Sequence, residues 1–297
     1  VERSPAQLPE ALRQLRGALV FRYGALEAAA IARLVMSQLT GLPTDELALA
    51  HGKQLTAEQQ HLLAAYQQRL KAGEPVQYVL GTVSFGGLQL RIGPEALIPR
   101  PETEELVAQG LAWLRQANLS SPRVLDVCSG SGCIALAVQH AYPKAEVLGY
   151  ELSEAALRLA RQNAERLFSA TQSPDFQAVD VRNAWPKAGH FHLLLSNPPY
   201  VPASEVASLT EHVRLHEPHE ALFVPNDDAL LFYRIIAAEG PHVLAPNGAI
   251  GLETHTDYTT AVADLFRQAG YREVTQRADA FGRERFVWAS GPLRLPS

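Results

Sequence analysis

Residues 193–200 read Leu193-Leu194-Leu195-Ser196-Asn197-Pro198-Pro199-Tyr200. The apolar run has the length of a core strand. The two prolines remove two backbone donors and fix φ, so neither strand nor helix continues through them. Asn197 precedes a proline and is pushed towards extended backbone. The stretch therefore predicts a buried strand that stops at a stiff corner, which carries one amide side chain, the free carbonyls of the prolines and one aromatic ring. In open α/β sheets, ligands bind along that carboxyl edge.

Upstream, the chain alternates between strand and helix patterns. Val124-Leu125-Asp126-Val127 is a short apolar strand, Cys128-Ser129-Gly130-Ser131-Gly132 a glycine loop, and residues 134–140 begin a helix. A second strand is predicted over 146–150 with Glu151 at its end, a helix over 154–168, a third strand over 176–179 ending at Asp180-Val181, and a fourth over 190–196. Such alternation implies a parallel sheet with crossover helices. Glycines let the backbone turn tightly and approach a ligand closely. Glu151 stands about twenty residues beyond the loop, where a carboxylate can accept both hydroxyls of a ribose. Gly130-x-Gly132-x-x-Ala135 also matches the dinucleotide-binding fingerprint, so the loop alone leaves a nicotinamide dehydrogenase open.

Composition narrows the classes. With 297 residues the chain is long enough for two domains, and 47% hydrophobic with 19% charged residues describes a globular rather than a disordered chain. A net charge of −5 argues against a nucleic-acid groove, which needs a basic face. Two cysteines, Cys128 and Cys133, imply no disulfide framework and fit a reducing compartment. No apolar run is long enough to span a membrane and no signal-peptide pattern is present, so a cytoplasmic location is expected.

The outer segments are less specific. Residues 1–75 are dominated by good helix formers. Leu26, Ala29, Ala30, Ile31, Leu34 and Val35 predict an apolar helix face, and Thr56 with Gln59 has the capping-box spacing. Gly73 is placed to stop that second helix. This bundle serves either as a packing domain or as a platform for a protein substrate. Residues 83–92 predict a β-hairpin around Gly86-Gly87. Pro99-Arg100-Pro101 follows, which by its residues alone is a linker with a solvated arginine, and Thr103 is expected to cap the next helix, over 104–117. Residues 201–227 show little periodicity. Within them, His212 and His216 have a spacing that suits a metal on a helix, but no cysteine joins them and Pro218 interrupts, so a solvated or substrate-facing loop is expected. A helix over 229–239, a turn at 244–248 into a strand over 249–253, a helix over 260–269 and a terminal hairpin of 271–274 with 285–289 complete the chain.

Asn-Pro-Pro-Tyr at the end of an apolar strand resembles the signature of methyltransferases that modify planar NH2 groups on adenine, cytosine or glutamine. Asp126 before the glycine loop, together with the tetrad on the fourth strand, resembles a class I S-adenosylmethionine-dependent methyltransferase. A dehydrogenase leaves Asn197 without a role and has no evident hydride-site His or Tyr. A non-catalytic binding module is opposed by the intact loop, acidic residue and tetrad. Leu97-Ile98-Pro99-Arg100-Pro101-Glu102-Thr103-Glu104, the glycine loop, Ser196-Asn197-Pro198-Pro199-Tyr200, Glu217-Pro218 with Ala221-Leu222, and Gly282-Arg283-Glu284-Arg285 occur in order. With the helical N-terminal segment, they resemble the peptide chain release factor glutamine methyltransferase family (PrmC/HemK).

That resemblance implies an α/β fold, a class I Rossmann-like seven-stranded methyltransferase sheet preceded by a small helical bundle and a β-hairpin linker. The implied domains are residues 1–75, a helical substrate-recognition domain, 76–98, the hairpin linker, and 99–297, the methyltransferase domain. The implied reaction moves a methyl group from S-adenosyl-L-methionine, leaving S-adenosyl-L-homocysteine, to the side-chain amide of the glutamine in the Gly-Gly-Gln motif of class 1 peptide chain release factors. No metal is required. Catalysis is expected from Asn197, Pro198 and Tyr200. Cofactor contacts are expected from Cys128, Ser129, Gly130, Ser131, Gly132, Glu151, Asp180, Val181 and Asn197, and substrate contacts from Asn197, Pro198, Pro199, Tyr200 and Arg100. The resemblance overturns the solvated reading of Arg100. Cys128 departs from the family's usual glycine, so the closest backbone approach is expected to shift there. A relative that methylates a ribosomal protein can share that cysteine and stands as an alternative, as does a DNA or RNA amino-methyltransferase with the same tetrad. Glu253-Thr254-His255-Thr256 departs from the family's Glu-then-Gly strand end, so Glu253 lies outside the expected site.

Overall fold

The computed structural model describes residues 7–183, 185 and 190–292. Its chain forms two compact units, one from the segment up to Thr82 with Thr210–His216, the other from Val83–Leu209 and Glu217 onward. No described helix is long and apolar enough to cross a membrane.

The first unit is helical. Helix Leu8–Thr40 is broken at Gly24, whose φ of 75° and ψ of 171° no helix contains. Helices Ala57–Lys71 and Val76–Leu80 follow. The capping box is formed: Thr56 Oγ1 accepts from the Gln59 amide at 3.1 Å and Gln59 Oε1 accepts from the Thr56 amide at 3.0 Å. The predicted apolar face of the first helix needs correction. Ala28, Ile31, Ala32, Val35 and Met36 are buried, whereas Leu26 and Leu34 are exposed. Apolar residues occur at i+3/i+4 spacing on both sides of this helix, so spacing alone did not say which row faces inward.

The second unit is built on a seven-stranded sheet. In spatial order its strands are Tyr271–Ala278, Glu284–Pro292, Leu244–Glu253, Phe191–Ser196, Arg123–Val127, Glu146–Glu151 and Asp175–Ala178. The last five pair in parallel, and the first two join antiparallel. The central strands are apolar at most positions because both faces are covered. Leu193 and Leu195 pack with Leu106, Leu114, Ile134 and Leu157 on one side. Leu194 packs with Tyr233, Ile236, Val262 and Phe266 on the other, as the two-residue period of a strand requires.

The chain runs outward from Arg123–Val127 to Asp175–Ala178, then returns to place Phe191–Ser196 on the opposite flank of Arg123–Val127. That reversal opens a crevice beyond the carboxyl ends of the two neighbouring strands. The C-terminal strands, Tyr271–Ala278 and Glu284–Pro292, extend beyond the predicted hairpin. The predicted turn at 244–248 lies inside strand Leu244–Glu253, where a register irregularity against Phe191–Leu193 absorbs it. A hairpin of Thr82–Phe85 and Leu88–Arg91 also forms.

The glycine loop shows how Cys128 is accommodated. Its φ is 63°, the left-handed region that glycine usually occupies. The cysteine adopts that conformation at a strain of about 1–2 kcal/mol. Gly132 has a separate reason: a Cβ there would lie 2.8 Å from Phe176 Cζ. Asp126 is fully buried beneath the loop, where its Oδ2 accepts from the Ala135 amide at 3.1 Å, pinning the first turn of helix Cys133–Ala141. Burial, opposed by that amide, raises its carboxyl to about 7.

Two outcomes follow from the loop. Cys128→Gly should be neutral or stabilising by up to about 1 kcal/mol, while Cys128→Val should destabilise by about 1–2 kcal/mol, because a β-branched residue tolerates positive φ least. Urea unfolding of both variants checks this, and equal losses in the two would contradict it. For Asp126, the folded-state value of about 7 lies above the unfolded one. Its stabilising effect is therefore full at low pH and is lost as pH rises through about 7. Asp126→Asn should accordingly gain stability relative to wild type between pH 5 and pH 8, read from urea midpoints. A difference independent of pH would contradict this assignment.

Candidate active site

The crevice is a cleft at the carboxyl edge of the sheet. Cys128, Ser129, Gly130, Ser131, Glu151, Asp180, Val181, Asn197, Pro199 and Arg100 all line it. These residues come from four strand ends and the segment before helix Pro101–Ala117. Gly132, Pro198 and Tyr200 do not line it. Gly132 packs against Phe176, Pro198 is buried, and Tyr200 turns towards Glu253. Both cysteine thiols are pushed up by burial first and by neighbouring carboxylates second, which leaves neither suited to act as a thiolate nucleophile.

Glu151 ends strand Glu146–Glu151 with its carboxylate fixed from two directions. Its Oε2 accepts from the Gly130 amide and its Oε1 from the Ser153 amide, each at 2.8 Å. Burial raises its pKa, and those amides oppose the rise. Each oxygen keeps lone-pair capacity towards the cleft, which fits a ribose diol. A Cβ at Gly130 would meet nothing within 4 Å, so the loop leaves open space beside this carboxylate. The donor set and the space together fit the sugar of a nucleoside cofactor. Asp180 differs from expectation: Arg182 Nε and Nη2 reach its two oxygens at 2.8 Å, Asn183 Nδ2 adds a bond at 3.1 Å, and its pKa is held down chiefly by Arg182. An adenine amino group would share these oxygens with Arg182. Val181 is buried against the wall next to it.

Arg100 lines the cleft but is not free. Its Nη2 meets Glu217 Oε1 at 2.5 Å, while Glu217 Oε2 accepts from the Ile98 amide at 3.1 Å. The Glu217 side chain is wholly buried. This pair fastens Ile98-Pro99-Arg100-Pro101 to the segment after the tetrad, so Arg100 acts as a latch on the cleft wall.

Thr103 also departs from its predicted role. Helix Pro101–Ala117 starts with proline at its first position, and Thr103 is its third residue rather than its cap. The Thr103 hydroxyl donates to Glu253 Oε2 at 2.7 Å and accepts from Asn197 Nδ2 at 3.1 Å. The Tyr200 hydroxyl donates to Glu253 Oε1 at 3.3 Å. Glu253 is only 1% exposed, and burial raises its carboxyl to about 7 against the lowering effects of Thr103 and Arg285. Sequence reading missed Glu253 and Thr103. The signal was present, since a carboxylate that ends an apolar strand is the same pattern that singled out Glu151. Among the described residues no cluster of three or more His, Cys, Asp or Glu side chains is arranged to hold a metal ion.

Comparison with known proteins gives this site a lineage. The family description "PrmC N-terminal domain" matches residues 10–81, and "Methyltransferase small domain" matches residues 109–223. The release factor glutamine methyltransferase of Bacteroides thetaiotaomicron is 34% identical over 93% of this chain and 97% of its own. That of Bordetella pertussis is 43% identical over 75% of this chain and 81% of its own. For the fold alone, the Thermus thermophilus 16S rRNA N2 G1207 methyltransferase, solved with AdoMet and guanosine, aligns with a TM-score of 0.50 at 17% identity, covering 70% of this chain and 49% of that one. Sequence likeness of this extent, spanning both the helical segment and the cleft-bearing sheet, means that the chain belongs to the release factor glutamine methyltransferase family.

Proposed function

We propose that this protein transfers a methyl group from S-adenosylmethionine to the side-chain amide nitrogen of the glutamine in the Gly-Gly-Gln motif of class 1 release factors, in the cytoplasm. The observation that carries the chemistry is the orientation of Asn197. Its Nδ2 is taken by Thr103, and among the described residues none donates to its Oδ1.

An amide nitrogen is a weak nucleophile because its lone pair is delocalised into the carbonyl. Bound S-adenosylmethionine supplies a sulfonium methyl as the electrophile. The protein's task is to make the amide nitrogen richer in charge as transfer proceeds. Asn197 Oδ1 and the Pro198 carbonyl accept from the two N–H bonds of the substrate amide, and both are acceptors fixed before the substrate arrives. Ser196 Oγ donates to the Val127 carbonyl at 2.5 Å, which ties the corner to the adjacent strand. Tyr200 braces that corner from behind through Glu253. The N–C bond would form as the sulfonium's S–C bond breaks to a thioether, with one amide proton passing to solvent, and orientation of the nitrogen in line with the methyl supplies much of the rate. Glu151 holds the ribose hydroxyls, the Cys128–Gly132 loop borders the amino-acid end of the cofactor, and Val181 covers the adenine face. The helical unit is the platform for the protein substrate.

Transfer of a labelled methyl group to purified release factor, lost when the Gly-Gly-Gln glutamine is changed to alanine, is the expected result. Label that persists without that glutamine would overturn the substrate assignment. Asn197→Ala should lower kcat by about 100-fold or more, with cofactor affinity nearly unchanged. Glu151→Ala should instead weaken cofactor binding by about 10- to 100-fold, as expected for losing hydrogen bonds to a charged group. Calorimetric titration separates the two, and a Glu151→Ala affinity equal to wild type would remove the ribose role.

A further inference from the structure

Three elements that are distant in sequence meet behind Asn197. Thr103 comes from helix Pro101–Ala117, Glu253 from the end of strand Leu244–Glu253, and Asn197 from the proline corner. Parallel pairing of Ser196 with Leu252 brings the last two side by side. The hydrogen bonds run in one direction: Asn197 Nδ2 donates to Thr103 Oγ1, and Thr103 Oγ1 donates to Glu253 Oε2. A hydroxyl has one proton, so what it does on one side decides what it can do on the other.

We infer that Glu253 and Thr103 are positioning residues that set the polarity of the Asn197 amide, so that its oxygen and not its NH2 group faces the substrate nitrogen. The inference deepens the proposed glutamine methylation and rests on that reading. An ionised Glu253 is acceptor-only, so it takes the Thr103 proton and leaves Thr103 lone pairs for Asn197 Nδ2. A protonated Glu253 donates to Thr103 instead. The hydroxyl proton then turns towards Asn197 and favours the flipped amide, whose NH2 group meets the N–H bonds of the substrate. Two donors facing each other cannot support charge developing on the substrate nitrogen.

The surroundings of Glu253 suit such a switch. Arg285 favours its ionised form from the neighbouring strand, whereas Glu102 on the helix opposes it. Tyr200 donates to its other oxygen, Tyr233 donates to its backbone carbonyl at 3.1 Å, and Cys133 lies within its electrostatic reach. The tyrosines and the thiol have raised pKa values and stay neutral through the neutral range. Glu253 itself, raised to about 7 by burial, changes charge near neutrality.

The test is the pH profile of kcat at saturating cofactor and release factor, for wild type, Thr103→Val, Thr103→Ser and Glu253→Gln. Wild-type kcat should fall as pH is lowered through about 7. Thr103→Val should lie about tenfold or more below wild type at pH 8 and lack that acidic limb, with cofactor affinity unchanged. Thr103→Ser, which restores the hydroxyl, should recover both rate and limb, and Glu253→Gln should lose the limb. A Thr103→Val profile that matches wild type, or a serine variant as impaired as the valine one, would overturn the inference. A readout that needs no transfer substrate separates its failure from that of the proposed function. The Asn197 side-chain amide signals in a 15N spectrum should titrate near pH 7 in wild type and not in Glu253→Gln. Signals that do not move in wild type would also overturn it.

Discussion

A strand that ends in two prolines has no backbone donors with which to extend its ladder, and the tetrad 197–200 turns that deficit into a corner at the edge of the cleft. Pro198 and Pro199 leave their carbonyls without an obligation to a neighbouring strand. The corner they form stands at the point where the sheet order reverses, so it faces space rather than another crossover. The rest of the unit depends on keeping this corner in place. Ser196 ties it to Val127, Leu193–Leu195 anchor it in both layers of the core, and Thr103 sets the rotation of its amide.

Buried carboxylates recur around the cleft, and each is handled differently. Asp126 receives a helix-terminal amide and titrates at about 7. Glu151 receives two amides and faces the cleft. Glu217 is matched by a guanidinium and an amide and works as a fastener. Glu253 has two hydroxyl partners and no close cation, since Arg285 acts on it only through space. A buried carboxylate with a full ion pair is structural. One held by hydroxyls alone sits near its titration point, because neutral donors offset only part of the desolvation of the charge.

The sheet, its parallel order and the cleft-lining loop were legible because they follow from short-range rules. Apolar runs of strand length, glycines at a tight turn and prolines at a corner act locally, and so does the Thr56–Gln59 capping box. What escaped the sequence depends on contacts across large separations. Thr103 looked like a helix cap because its spacing allowed one, yet Pro101 starts the helix and Glu253, 150 residues away, claims the hydroxyl. Arg100 looked like a free charge because Glu217 lies 117 residues downstream. The inward row of the first helix was misread because both of its rows are apolar. At Cys128 a residue with a Cβ takes the positive φ of the turn.

The proposed chemistry rests on the Asn197 oxygen and the Pro198 carbonyl receiving the substrate amide. A crystal structure of the protein with S-adenosylhomocysteine and a Gly-Gly-Gln peptide tests it most directly. The glutamine amide nitrogen should lie about 2.7–3.2 Å from both acceptors, with Asn197 Nδ2 still on Thr103. A glutamine bound elsewhere in the cleft, or an Asn197 that turns its NH2 group to the substrate, would contradict it.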